Sequence, residues 1–241
     1  MCDGMERRWT TFGVRAAVVG MACWVVGIAL FPVDAQLHHG DERLAALLRA
    51  GAGRQYVATD LALIGGVLLV VFLVALTQIV PDGAPGAGLL RLSLAGCVVT
   101  QSMVGCGAGL GLAAVHASVA RDDPALVALA WRGLWLTWLA SAAPTVLFTA
   151  AAVLGLRQAG LSPRWVAGLG WVSVGAHVLV LFTVAQLGLF APDGLVGGMA
   201  PATTVVWVLA LALTLTKAHG RVPRPSTAGG RAAAASRDSR P

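Results

Sequence analysis

The side chains that could do chemistry are few, and the most suggestive interrupt apolar runs. Gln101, Ser141 and His177 each stand in a stretch that is otherwise largely hydrocarbon. A polar group within a bilayer is costly and usually faces a bundle interior or a water-filled cavity. Depth follows from the helix rise of about 1.5 Å per residue. Gln101 lies ten positions past Arg91, and His177 lies thirteen past Arg164. Those separations correspond to about 15 Å and 20 Å along their helices. Both levels are near the middle of a hydrocarbon core about 30 Å thick. Ser141, close to Pro144, falls near the same level. Two readings follow: a small polar pocket or proton relay, or hydrogen bonds that hold helices together, each contributing ~0.6–2 kcal/mol. Either way a polar group in hydrocarbon needs a partner. The expected arrangement has Gln101 and His177 turned inward to share one pocket with Ser141.

Other chemistries have weaker support. The chain has no GxxxxGK[ST], HExxH, GxSxG or CxxC pattern, so the phosphate cradles, zinc sites and nucleophile elbows those patterns build are not indicated. A bis-histidine haem needs two imidazoles at one level, but His116 lies about 37 Å past Arg91, whereas His177 is near mid-depth. His38, His39 and His116, with Asp34, Asp41 and Asp60, lie towards one side, yet without a diagnostic ligand spacing. No cofactor and no metal is expected. Of the cysteines, Cys97 and Cys106 are nine positions apart and point to opposite faces of one helix, so they cannot bridge. They read as small apolar packing residues, like Cys2 and Cys23.

These side chains must be positioned by membrane helices. Hydrophobic residues make up 57% of the chain and charged residues 12%, against about 25% charged in a soluble domain. Mean hydropathy is +0.79. Such a chain cannot cover itself with polar surface, so lipid is its solvent and the bilayer its first partner. The net charge of +6 comes largely from the C-terminal tail, and no basic patch is interleaved with aromatics, so nucleic acid is not an expected partner. The pattern predicts an all-α bundle of six transmembrane helices: residues 14–31, 61–80, 92–118, 125–156, 165–190 and 196–216. A short outer amphipathic helix between the first two spans is expected, opened by an Asp41 cap, carrying Leu44, Leu47 and Leu48, and stopped at Gly51. Residues 1–13 form a cytoplasmic segment, 14–216 the membrane domain, and 217–241 a disordered basic tail. The basic start and Val33-Asp34-Ala35 also fit a cleaved signal, but the apolar run is long for one and further spans follow.

The third span is expected to be central. Helices in lipid associate where small residues let backbones approach. Cys97, Gln101, Gly105 and Gly109 recur every four residues, and Gly105 and Gly109 are expected to pack against neighbouring helices.

Orientation follows from Lys and Arg. With the N-terminus inside, twelve of the seventeen fall on the inner side: Arg7, Arg8, Arg15, Arg91, Arg157, Arg164 and six between Lys217 and Arg240. Arg43, Arg49, Arg54, Arg121 and Arg132 fall outside. Both termini are therefore expected in the cytoplasm, with the chain in the cell membrane. Trp131, Trp135 and Trp138, and again Trp165 and Trp171, are expected at the interfaces where aromatic belts form.

Two stretches, ALLRAGAGRQYVATDLALIGG and LGLRQAGLSPRWVAGLG, resemble a family of uncharacterised six-helix bacterial integral membrane proteins, a domain of unknown function. The resemblance covers roughly residues 15–216. It implies six helices and a cytoplasmic-membrane location, and no activity. With no acid pair, metal motif or nucleophile beside a base, the sequence reads as a non-enzymatic accessory, structural or regulatory membrane protein. A small-solute transporter or channel with a mid-depth polar pocket is the alternative.

Overall fold

The computed structural model describes residues 2–32, 34–120, 123–183, 191 and 194–220. Among these residues the secondary structure is helical, with no strand. The helices are α1 (Cys2–Leu30), α2 (Asp41–Ala50), α3 (Ala52–Ile79), α4 (Ala87–Ala120), α5 (Pro124–Ala140), α6 (Ala142–Gln158), α7 (Arg164–Val180) and α8 (Leu195–Gly220). Five helical segments are long and apolar enough to cross a membrane: Arg8–Leu30, Ala52–Ile79, Ala87–Ala120, Pro124–Gln158 and Leu195–Thr216. The remaining apolar helix, α7, has 17 residues, or about 25 Å. Its expected continuation reaches residues 184–190, which lie outside the described residues, as does the tail from residue 221.

The expected boundaries shift in three places. Helix α1 begins at Cys2, so one helix runs through the N-terminal segment into the first span. Helix α2 is capped by Gly40, whose extended backbone offers no side chain; Asp41 instead bonds Arg132 at 2.9 Å. The Asp41 carboxylate is thereby committed to α5, and Gly51 closes α2 as the pattern required. The fourth span is divided at Ser141. Pro144 accounts for the break: proline lacks an N–H, and its ring clashes with the carbonyl four residues earlier. That residue is Ala140, the last of α5. Ser141 keeps a right-handed backbone and donates to the carbonyls of Thr137 and Trp138 at 3.0 and 3.1 Å.

Helix α4 is central, touching α2, α3, α5 and α6. Its buried face is not the expected one. Ser93, Gly96, Thr100, Val104, Gly107, Gly111 and Ala114 are buried, whereas Gly105 is half-exposed and Gly109 exposed. A methyl on Gly109 would meet nothing within 4 Å, and one on Gly105 only the Leu63 side chain at 3.9 Å. The reason is angular. A strict four-residue step overshoots a full turn by about 40°, so three steps from Cys97 carry Gly109 about 120° away from the core. Alternating steps of three and four stay on one face. At Gly96 a Cβ would stand 3.0 Å from the Phe148 Cβ and 3.1 Å from its backbone nitrogen, so α4 and α6 touch almost backbone to backbone.

A second glycine repeat joins α1 to α3. Gly13, Gly20 and Gly27 recur every seven residues, facing Ala75, then Leu68 and Gly65, then Ala58. A seven-residue apolar or small repeat keeps one seam towards a partner helix.

Helix α2 seals one end of the bundle. Leu44 and Leu48 are fully buried, in a cluster with Val127, Trp131 and Leu134 of α5. The expected tryptophan belt divides here. Trp165 and Trp171 are exposed on the bundle surface, but Trp131 is fully buried, donates to the Ala35 carbonyl at 2.9 Å and stacks on Phe31. The loop carrying Ala35 covers that ring and replaces the headgroup region as its polar partner.

Candidate functional site

Gln101, Ser141 and His177 line one cavity of about 30 Å³. That is room for two or three waters, since each needs about 10–15 Å³. The three side chains reach the cavity from different elements. Gln101 sits on α4 beside Gly66 of α3, where any side chain would collide with the Gln101 amide. Gly66 therefore makes the space that the glutamine fills. Ser141 reaches the cavity because Pro144 opens the helix there. His177 is in the last turn of α7 and 8% exposed.

Most of the polar capacity is absorbed locally. The Ser141 hydroxyl donates to the Trp138 carbonyl at 2.6 Å. The His177 Nδ1 lies 2.9 Å from the Ser173 carbonyl. A carbonyl only accepts, so Nδ1 carries the proton and a neutral ring presents Nε2 as its acceptor. Thr145 donates to the Ser141 carbonyl at 2.7 Å and lies 3.4 Å from the Thr100 hydroxyl. The Gln101 Nε2 is buried with no hydrogen-bond partner among the described residues.

Sequence reasoning missed the bond that ties two helices together at this level. Ser173 of α7 and Thr204 of α8 share a hydrogen bond of 2.8 Å, both fully or almost fully buried. The signal was present: Val166, Gly170, Ser173, His177 and Val180 alternate steps of four and three. That stripe fixes the inward face of α7, which the immediate neighbours of His177 do not.

The other candidates stand apart. His38 and His116 are exposed, and among the described residues no three His, Cys, Asp or Glu side chains are grouped to hold a metal. Cys97 is buried in the main core, while Cys106 is exposed on the opposite face of α4. Arg132 pairs with Asp41.

Compared with known proteins, the chain matches no family, no curated protein and no solved structure. The likeness to uncharacterised six-helix bacterial membrane proteins gains no support from that comparison.

Proposed function

We propose that the chain is a non-enzymatic protein of the cell membrane with six spans, both termini cytoplasmic, and an accessory, structural or regulatory role. Its likeness to uncharacterised six-helix bacterial proteins belongs to the same proposal. The observation that supports this reading is the mid-depth cavity. At about 30 Å³ it has room for two or three waters, and its serine and histidine hydrogen-bond within their own helices. On this reading helix positions are fixed by the bonds between helices, Thr145 to Thr100 and Ser173 to Thr204. The test is His177→Leu. The apparent melting temperature in detergent should fall slightly, by the loss of an interaction contributing ~1 kcal/mol, while complementation of a strain lacking the protein stays intact. Lost complementation with an unchanged melt would overturn the structural role.

A transporter reading has one observation in its favour. The break at Ser141, the end of α7 at Val180, and Pro201 inside α8 all border the same cavity. Discontinuous helices meeting at mid-depth are how many transporters build a substrate site. A metabolite-uptake screen in vesicles, comparing the wild type with Gln101→Leu, separates the readings: glutamine-dependent uptake of any solute favours transport.

A further inference from the structure

The outer face of α1 carries an assignment of its own, independent of the role proposed above. Gly13, Gly20 and Gly27 press one side of this helix against α3. On the side turned away, Arg8, Phe12, Arg15, Val19, Ala22 and Val26 follow steps of four and three, and all six are exposed. Such alternation keeps side chains on one helix face. Two arginines and a run of apolar residues therefore form a single outward stripe.

Depth sets Arg15 apart. It stands fifteen positions before Leu30, the last residue of α1, a separation of about 22 Å. That is less than the hydrocarbon thickness of about 30 Å, so a helix that crosses as far as Leu30 draws Arg15 inside the apolar edge. Trp9 and Phe12 mark the boundary: their rings meet edge to face at 6.3 Å, and aromatic side chains gather at the headgroup level. Arg8 lies on one side of that pair and Arg15 on the other. Among the described residues neither arginine has an ion pair or a side-chain hydrogen bond, and Asp82, beyond the end of α3 beside them, is committed to Arg91. A charge facing hydrocarbon is costly. Arginine relieves that cost by laying its stem along apolar surface and reaching for the polar layer. The acceptor that its planar fork fits there is a phosphate. Arg8 and Arg15 are about 10 Å apart along the axis, so side chains reaching towards each other past Phe12 bracket one phosphate.

We propose that this face of α1 binds an anionic phospholipid, with its phosphate between Arg8 and Arg15 and one acyl chain along Val19, Ala22 and Val26. Two guanidiniums against a single phosphate leave positive charge in excess. A headgroup without a cation of its own, as in phosphatidylglycerol, complements them better than the choline of phosphatidylcholine.

The experiment is native mass spectrometry of the full chain, released from micelles that hold equal amounts of phosphatidylglycerol and phosphatidylcholine with identical acyl chains. Each arginine near the headgroups favours an anionic lipid by about fivefold, so the wild type should retain phosphatidylglycerol with a preference of about twenty-five-fold. Arg15→Gln should cut that preference about fivefold. Arg164→Gln removes the same charge from an exposed position where α7 begins, at the same end of the bundle, and should leave the preference unchanged. Equal retention of the two lipids by the wild type overturns the proposal, as does an Arg15→Gln variant that keeps the full preference. An equal loss in Arg164→Gln also overturns it, since the cause is then the diffuse field of that end and not a site. Displacement of the lipid by excess inorganic phosphate would reassign the arginines to a soluble anion. Should Arg15→Gln not elute as a monodisperse species, Arg8→Gln carries the same expectation.

Discussion

Leucine at Gly96 and leucine at Gly109 should have opposite effects, although both residues are glycines on the same helix. At Gly96 the first added carbon already stands 3.0–3.2 Å from the Cβ, nitrogen and Cα of Phe148. Ordinary contact begins near 3.4 Å, and two of those atoms are backbone, which cannot swing aside. Alanine there forces α4 and α6 apart by a few tenths of an ångström, and leucine drives three more carbons into the same gap. Overpacking of this kind typically costs about 1–3 kcal/mol. At roughly 2–4 °C per kcal/mol for a chain of this size, Gly96→Leu should lower the apparent melting temperature by about 2–12 °C. At Gly109 nothing lies within 4 Å. Leucine there meets lipid and replaces a poor helix former, a gain of up to about 0.8 kcal/mol. Melts in one detergent at a fixed scan rate, followed by size-exclusion fluorescence, compare the two. The expected order from most to least stable is Gly109→Leu, wild type, Gly96→Ala, Gly96→Leu. A destabilised Gly109→Leu beside a wild-type-like Gly96→Leu would refute the assignment of the buried face.

Three further outcomes are expected. Leu48→Ala, at a fully buried position under α5, should cost about 2–5 kcal/mol in detergent melts, whereas Asp41→Ala should cost no more than about 1 kcal/mol because its pair with Arg132 is solvated. Under the proposed topology, reporter fusions after Gly53 and after Gly160 should report outside and inside respectively, and the reverse pattern would invert the bundle. Gly20→Leu should separate α1 from α3, because its added carbon would stand 2.9 Å from the Leu68 Cβ and 3.1 Å from the Gly65 carbonyl; an unchanged melt would show that this seam does not limit stability.

The helices were legible because hydrocarbon runs and turn signals are local properties. Pro81-Asp82-Gly83, a turn signature, follows the end of α3, with Gly83 at φ 83° and Asp82 paired to Arg91. Gly51 stops α2 for an equally local reason. Which side of a helix faces protein is less local. The four-residue glycine spacing on α4 invited a face that drifts out of the core, and the immediate neighbours of His177 gave no face at all. In both cases the wider alternation of three and four steps held the answer. The break at Ser141 was also written in the chain, since Pro144 forbids a regular carbonyl–amide bond at Ala140. The buried tryptophans were not legible, because a loop that folds over a ring looks like an interface when read in one dimension.

The cavity at Gln101 is best understood beside a second, larger one. Trp24, Val104, Trp138, Gly197 and Pro201 line both, and the rings of Trp24 and Trp138 stand 6.4 Å apart. The Trp24 indole is fixed by its N–H, which donates to the Ala62 carbonyl at 2.9 Å. That bond explains why a large, partly polar ring can lie at membrane depth, and it leaves the apolar face of the ring for its neighbours. On one side is a space of about 30 Å³, edged by Gln101, Ser141 and His177; on the other is one of about 220 Å³, whose lining includes Gln55 and Trp135. The two indoles line both compartments and so form their shared wall. Gly107 matters to this division because a Cβ there would stand 3.4 Å from the Leu134 carbonyl and from the Thr137 Cβ, so α4 and α5 approach closely beside the larger cavity. Chemistry at this depth is thus decided less by which polar residues the chain carries than by which small residues stand beside them.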